Sequence, residues 1–265
     1  SGNINVGVRN VELTAPAALG GSARFDIRDN DGGFNAAGHT LTKVGSNSIF
    51  IANVGETNIA DVVISGGRLA FEGSTTFGSL PGTIVVESGA QLGLTDSHVI
   101  HTKPIILQDG IININSGSQN HIASPIEIEL FGTAQVTTNQ SGLISGVISG
   151  DGDFVKAGGG LLIVSGANEY TGRTIVTAGT LRVGNDGPSG SLGPGAISLE
   201  PAPGETATLA FRRSDTSLVV DNIITSYGTG SNVLNIGGSG GAVPPTAIVT
   251  LTGEKTFTGT VNING

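Results

Sequence analysis

No apolar stretch in this chain runs far before glycine, aspartate, asparagine or serine breaks it. Between the breaks, side chains alternate. Leu161, Ile163 and Ser165 alternate with Leu162 and Val164, Ile112 and Ile114 with Asn113 and Asn115, and Ile126, Ile128 and Leu130 with Glu127 and Glu129. A period of two sends successive side chains to opposite faces of a strand, so these segments read as short, half-buried strands ended by turns. The i, i+3, i+4, i+7 spacing of an amphipathic helix is missing from every window of ten or more residues. Glycine makes helices still less favourable. It supplies 44 of 265 residues, against a usual share of ~7%, and costs about 1 kcal/mol at each helix-interior position. The chain is therefore expected to be all-β.

The strands recur with a long period. Gly67-Arg68-Leu69-Ala70-Phe71 returns as Gly179-Thr180-Leu181-Arg182-Val183, an offset of 179 − 67 = 112. At the same offset Ile49-Phe50-Ile51-Ala52 meets Leu161-Leu162-Ile163-Val164, and Val62-Val63-Ile64 meets Thr174-Ile175-Val176. Leu41-Thr42-Lys43-Val44-Gly45 sits opposite Phe154-Val155-Lys156-Ala157-Gly158, and a third copy opens near Ile248. Repeats of unequal length fit a solenoid, which absorbs insertions as loops on one edge. Few aromatics imply a thin aliphatic core, and glycines suit corners that need φ > 0. The expected fold is a right-handed parallel β-solenoid (β-helix), a single unit over residues 1–265. Its degenerate repeats lie at about 41–94, 153–211 and 248 onward. At roughly 20–25 residues and ~4.8 Å per coil, about a dozen coils make a rod roughly 55–60 Å long. The stretch from Gly228 to Pro245 reads as an irregular loop.

Composition removes several function classes. With no cysteine, disulfide frameworks, thiolate metal sites and cysteine nucleophiles are excluded. A net charge of −9 argues against nucleic acid and anionic membrane surfaces as partners. No apolar run approaches the ~20 residues that span a bilayer as a helix, so no membrane insertion by this segment is expected. The chain opens on Ser1 with no secretory leader pattern, which suggests a processed product or a piece of a longer chain.

One stretch carries a family resemblance. Gly150-Asp151-Gly152-Asp153-Phe154-Val155-Lys156-Ala157-Gly158-Gly159-Gly160 leads into alternating apolar residues, then Ser165-Gly166-Ala167-Asn168-Glu169-Tyr170-Thr171-Gly172 and Ala178-Gly179-Thr180-Leu181. This resembles the passenger-associated transport repeat of autotransporters, also called the autotransporter-associated β-strand repeat. The copies near Leu41 and Ile248 are degenerate; the first has Val54-Gly55-Glu56-Thr57-Asn58-Ile59 in place of the Asn-x-Tyr segment. The resemblance implies an extracellular or cell-surface β-solenoid passenger of a Gram-negative bacterium, acting as an adhesin or stalk. The absence of cysteine agrees with passage across an outer membrane. An outer-membrane barrel, which the family carries at its C-terminus, is missing from these residues.

Candidate chemistry is sparse. Gly237-Gly238-Ser239-Gly240-Gly241 spells Gly-x-Ser-x-Gly without the strand and helix a nucleophile elbow requires. His98 and His101 are three apart, on opposite faces of a strand; His39 and His121 stand alone. Asp29 and Asp31, and Asp151 and Asp153, are the nearest approach to calcium ligands, and neither pair has the full spacing of a calcium loop. No cofactor is otherwise expected. The pairs Asn3/Asn5, Asn113/Asn115 and Asn262/Asn264 each flank an isoleucine and could stack as amide ladders.

The two ends complement one another. Val261-Asn262-Ile263-Asn264 stops partway through the repeat, and Asn3-Ile4-Asn5-Val6-Gly7 continues it almost in phase. An exposed last coil leaves backbone groups open to a further strand, so head-to-tail self-association into a filament is expected through these eight residues, Asn3 to Val6 and Val261 to Asn264. The functional expectation is a non-enzymatic structural or adhesive solenoid, with a host or bacterial surface glycan or protein as further partner. The alternative is a polysaccharide-active enzyme on the same scaffold, which would need carboxylates converging on one groove.

Overall fold

The computed structural model describes residues 7–8, 10–28, 33–96, 99–100, 103–117, 120–129, 132–214, 218–237 and 249–263. Among them every regular element is a strand, and the strands pair in parallel. A residue's neighbour across the sheet is its counterpart one coil on. Ile49 lies beside Leu69, Leu69 beside Leu92, Leu92 beside Ile112, and Ile112 beside Val136. The chain is a parallel β-solenoid.

Three large sheets make most of its faces, and two two-stranded sheets, Val11–Glu12 with Phe34–Asn35 and Leu218–Val220 with Val249–Leu251, add to them. The longest has twelve strands, from Gly7–Val8 to Lys255–Thr256. A seven-stranded sheet runs from Ala17–Leu19 to Ile148–Gly150, and an eight-stranded sheet from Val99–Ile100 to Thr260–Ile263. Twelve stacked strands at ~4.8 Å give a column roughly 50–55 Å long, close to the length expected from the sequence. The faces are not all present at every level. The seven-stranded sheet ends at Gly150, just before the best-formed repeat begins.

The core is built from vertical columns of like residues. Leu162, Leu181, Leu209, Leu234 and Val261 stack on the eight-stranded face. Ile84, Ile105, Ile126 and Ile148 stack on the seven-stranded one. Strands are short and no described strand buries more than five residues, so burial comes from stacking and not from a single globular centre. That is why the apolar runs in the sequence are so short.

Two readings of the sequence change here. Ser231–Ile236 is a strand in the eight-stranded sheet and not part of a loop. Its inward positions hold Asn232 and Leu234, and a buried asparagine hides the alternation. The copies related by an offset of 112 or 113 also occupy different faces. Leu41–Lys43 belongs to the seven-stranded sheet, while Phe154 and Lys156 lie in the twelve-stranded one. Arg68–Glu72 is in the twelve-stranded sheet, Gly179–Val183 in the eight-stranded one. The repeat thus returns rotated by one face. Its turning points are kept: Gly67 has φ 61° and Gly179 φ 66°.

Candidate functional site: the repeat coil and its surroundings

The coil that starts at Asp153 replaces the seven-stranded sheet, which has ended at Gly150, with side chains. Asn168 is 6% exposed and connects three levels. Its Oδ1 accepts from the Ile148 N–H at 2.9 Å, and its Nδ2 donates to the Ser191 carbonyl at 2.7 Å. The amide therefore supplies both halves of a ladder bond where no strand runs. Tyr170, fully buried, packs its ring 5.6 Å from Phe154 and shares a 2.5 Å hydrogen bond with the Thr174 hydroxyl. Burial pushes its phenol up to about 12, against the pull of its hydrogen bonds to Thr174 and Gly193.

Lys156 is the least expected residue of this coil. It is 0% exposed and occupies the column that runs Leu92, Ile112, Val136 below it and Val176, Leu199 above. Its ammonium donates to the carbonyls of Ala157 at 2.8 Å, Gly158 at 2.6 Å and Ala178 at 3.0 Å. Burial pulls its pKa down to about 8. Sequence alternation carried the signal: Lys156 has the parity of buried Phe154, as Lys43 has that of buried Leu41.

The residues singled out from sequence fall as follows. Asp153 Oδ1 accepts from the Arg173 N–H at 2.7 Å and its Oδ2 pairs with the Arg173 guanidinium at 2.7 Å. Asp151 accepts from the Thr171 hydroxyl at 2.9 Å. Both acids tie one corner to the next. Asp29 and Asp31 lie outside the described residues, and among those described no three His, Cys, Asp or Glu side chains gather as a metal site. His98, His101 and Ser239 also lie outside; His39 is half-buried, and His121 Nε2 is 2.7 Å from the Ser145 hydroxyl. The amides do join across coils, each with a neighbour of its own. Asn113 donates to Gln91 at 3.4 Å, Asn139 to Asn115 at 2.8 Å, and Asn262 to Asn235 at 2.8 Å. Asn3, Ile4, Asn5, Val6 and Asn264 are outside the described residues. Val261 and Ile263 are 50% and 77% exposed at the tops of core columns.

A groove that sequence reasoning missed lies over a two-stranded sheet of the first coils, where Val11–Glu12 pairs with Phe34–Asn35. It has a volume of about 510 Å3 and is lined by Glu12, Asn35, Glu56 and Asn58, with Val11 and Val54. Its residues come from three different coils and share no local motif.

A sequence profile for the passenger-associated-transport-repeat matches residues 154–183, the coil just described. Residues 154–183 carry a passenger-associated transport repeat. The transport repeat thus coincides with the level at which the solenoid exchanges a strand-built face for one held by Asn168 and Tyr170. A 75-residue stretch is 44% identical to the protein named adhesin BmaC autotransporter of Brucella suis biovar 1 (strain 1330). That stretch is 28% of this chain and 2% of the length of the Brucella protein. No solved structure matches the chain.

Proposed function

We propose that this chain is a length of the rod of an adhesin-like autotransporter passenger, displayed outside a Gram-negative bacterium and acting without catalysis. Its work is geometric: to hold long, flat, ladder-bonded faces away from the cell and present them to a surface glycan or protein. The observation that carries this reading is parallel stacking continued through the transport repeat, within a chain partly similar to an adhesin. Beads coated with the chain should adhere to cultured host cells several-fold more than beads coated with an unrelated β-solenoid. Equal adhesion would contradict an adhesive role.

End-to-end assembly is supported by Val261 and Ile263, core-column residues left uncovered on the last described strand. Sizing from low to high concentration with electron microscopy should reveal rods of several units, lost on Val261→Asp. Only 26.4 kDa particles at high concentration would overturn it. The enzymatic alternative rests on Glu12 and Glu56 in the same groove. It requires new reducing ends from an acidic or neutral polysaccharide, abolished by Glu56→Gln.

A further inference from the structure

The chain has four lysines, and all four turn their amines onto backbone carbonyls. Lys43, Lys103 and Lys156 are each 0% exposed. Lys43 repeats the geometry of Lys156 on another face. It donates to the carbonyls of Val44 at 2.8 Å, Gly45 at 2.9 Å and, one coil on, Gly66 at 2.9 Å. Lys103 reaches down through two coils, to Leu80 at 2.9 Å and Ala60 at 2.7 Å. Lys255 joins Gly253 to Asn222 one coil below, at 2.8 Å each. No carboxylate takes part in any of these hydrogen bonds. Each amine sits in a cage of carbonyl oxygens contributed by successive coils.

Carbonyl cages of this kind are what hard cations seek. A buried charge is tolerated only where its donors are satisfied, and an ammonium offers three N–H groups to a corner that offers two or three oxygens. Corner carbonyls converge because each coil turns at the same place; their dipoles repel, and a central positive charge offsets the repulsion. We propose that the four lysines are tethered structural cations that clamp successive coils together, so that this column needs no calcium or other added ion to stack. The lysine of the transport repeat is then a coil clamp and not a surface contact.

The proposal makes the cage itself a cation site. In Lys156→Ala the cage should be open and the melting temperature lower by roughly 10 °C. Propylammonium at millimolar to molar concentration should restore at least half of that loss, and 1-propanol of the same size should not. Equal rescue by both, or by neither, would overturn the clamp. The unaltered chain gives a second reading that requires no variant to fold. Melting should shift by less than about 1 °C between chelator and millimolar calcium. An amine-reactive ester should leave Lys43, Lys103 and Lys156 unmodified until urea is added. Loss of the fold in chelator, or prompt labelling of these three lysines in the native chain, would contradict it.

Discussion

Gly179 turns the chain into the last strand of the transport repeat. An added Cβ there would lie 2.5 Å from the carbonyl oxygens of Gly158 and Gly160, one coil below, at a φ of 66° that L-residues rarely adopt. Gly179→Ala is expected to cost about 1–3 kcal/mol from backbone strain alone, read as a lower denaturation midpoint with an unchanged slope. Titration of two buried groups gives a distinctive pH profile. Lys156 holds its proton to 10.5 in an unfolded chain but only to about 8 here, because burial disfavours the charge. Between those values the unfolded chain binds more protons, so stability rises with pH. Deprotonation removes the desolvation cost of the charge, while the neutral amine still has two N–H groups to donate to its carbonyl cage. The clamp is therefore measured against an empty cage and not against a neutral amine. Tyr170 works the other way, its pKa raised from 10.0 to about 12. Above pH 10 the unfolded chain releases a proton that the folded chain keeps, and stability falls. Melting followed by circular dichroism should therefore climb from pH 8 to near 10 and decline beyond. A monotonic fall from pH 8 would contradict these environments.

At the scale of strands and coils, position in the column decides what a residue is worth. Leu181 is covered above and below by Leu209 and Leu162, and Leu181→Ala should cost about 2–5 kcal/mol. Val261 tops the same column half exposed, so Val261→Ala should cost under about 1 kcal/mol. Chemical denaturation of the two variants measures the contrast; equal losses would argue against stacked columns. Much of this level was legible in the sequence. Alternation gave the strands, glycine and aspartate gave the corners, and the 112-residue offset gave the return of the pattern. Less visible was the face on which each copy lands, because a solenoid can rotate its repeat without changing any local residue pattern. The strand Ser231–Ile236 was hidden by Asn232 at an inward position, and the inward lysines by the habit of reading Lys as surface. The role of Asn168 was out of reach for a related reason. Its two partners, Ile148 and Ser191, lie 20 residues before and 23 residues after it, and only the stacking brings them together.

Across the whole molecule, successive strands lie in one vertical column, and the proposed role uses its length and its faces. The chain offers a clean test because it contains no cysteine, so spin labels can be placed at will. On the seven-stranded face the outward positions Ala18, Thr42, Val63, Val85, Ile106, Glu127 and Ser149 are consecutive neighbours. Cysteine pairs should be labelled at Ala18 with Ile106, Ala18 with Glu127, and Ala18 with Ser149. Their separations by electron–electron double resonance should be about 19, 24 and 29 Å, rising by ~4.8 Å per coil apart from the reach of the label. Distances that fail to rise in that order, as they would if these strands were shared between two facing antiparallel sheets, would contradict the account.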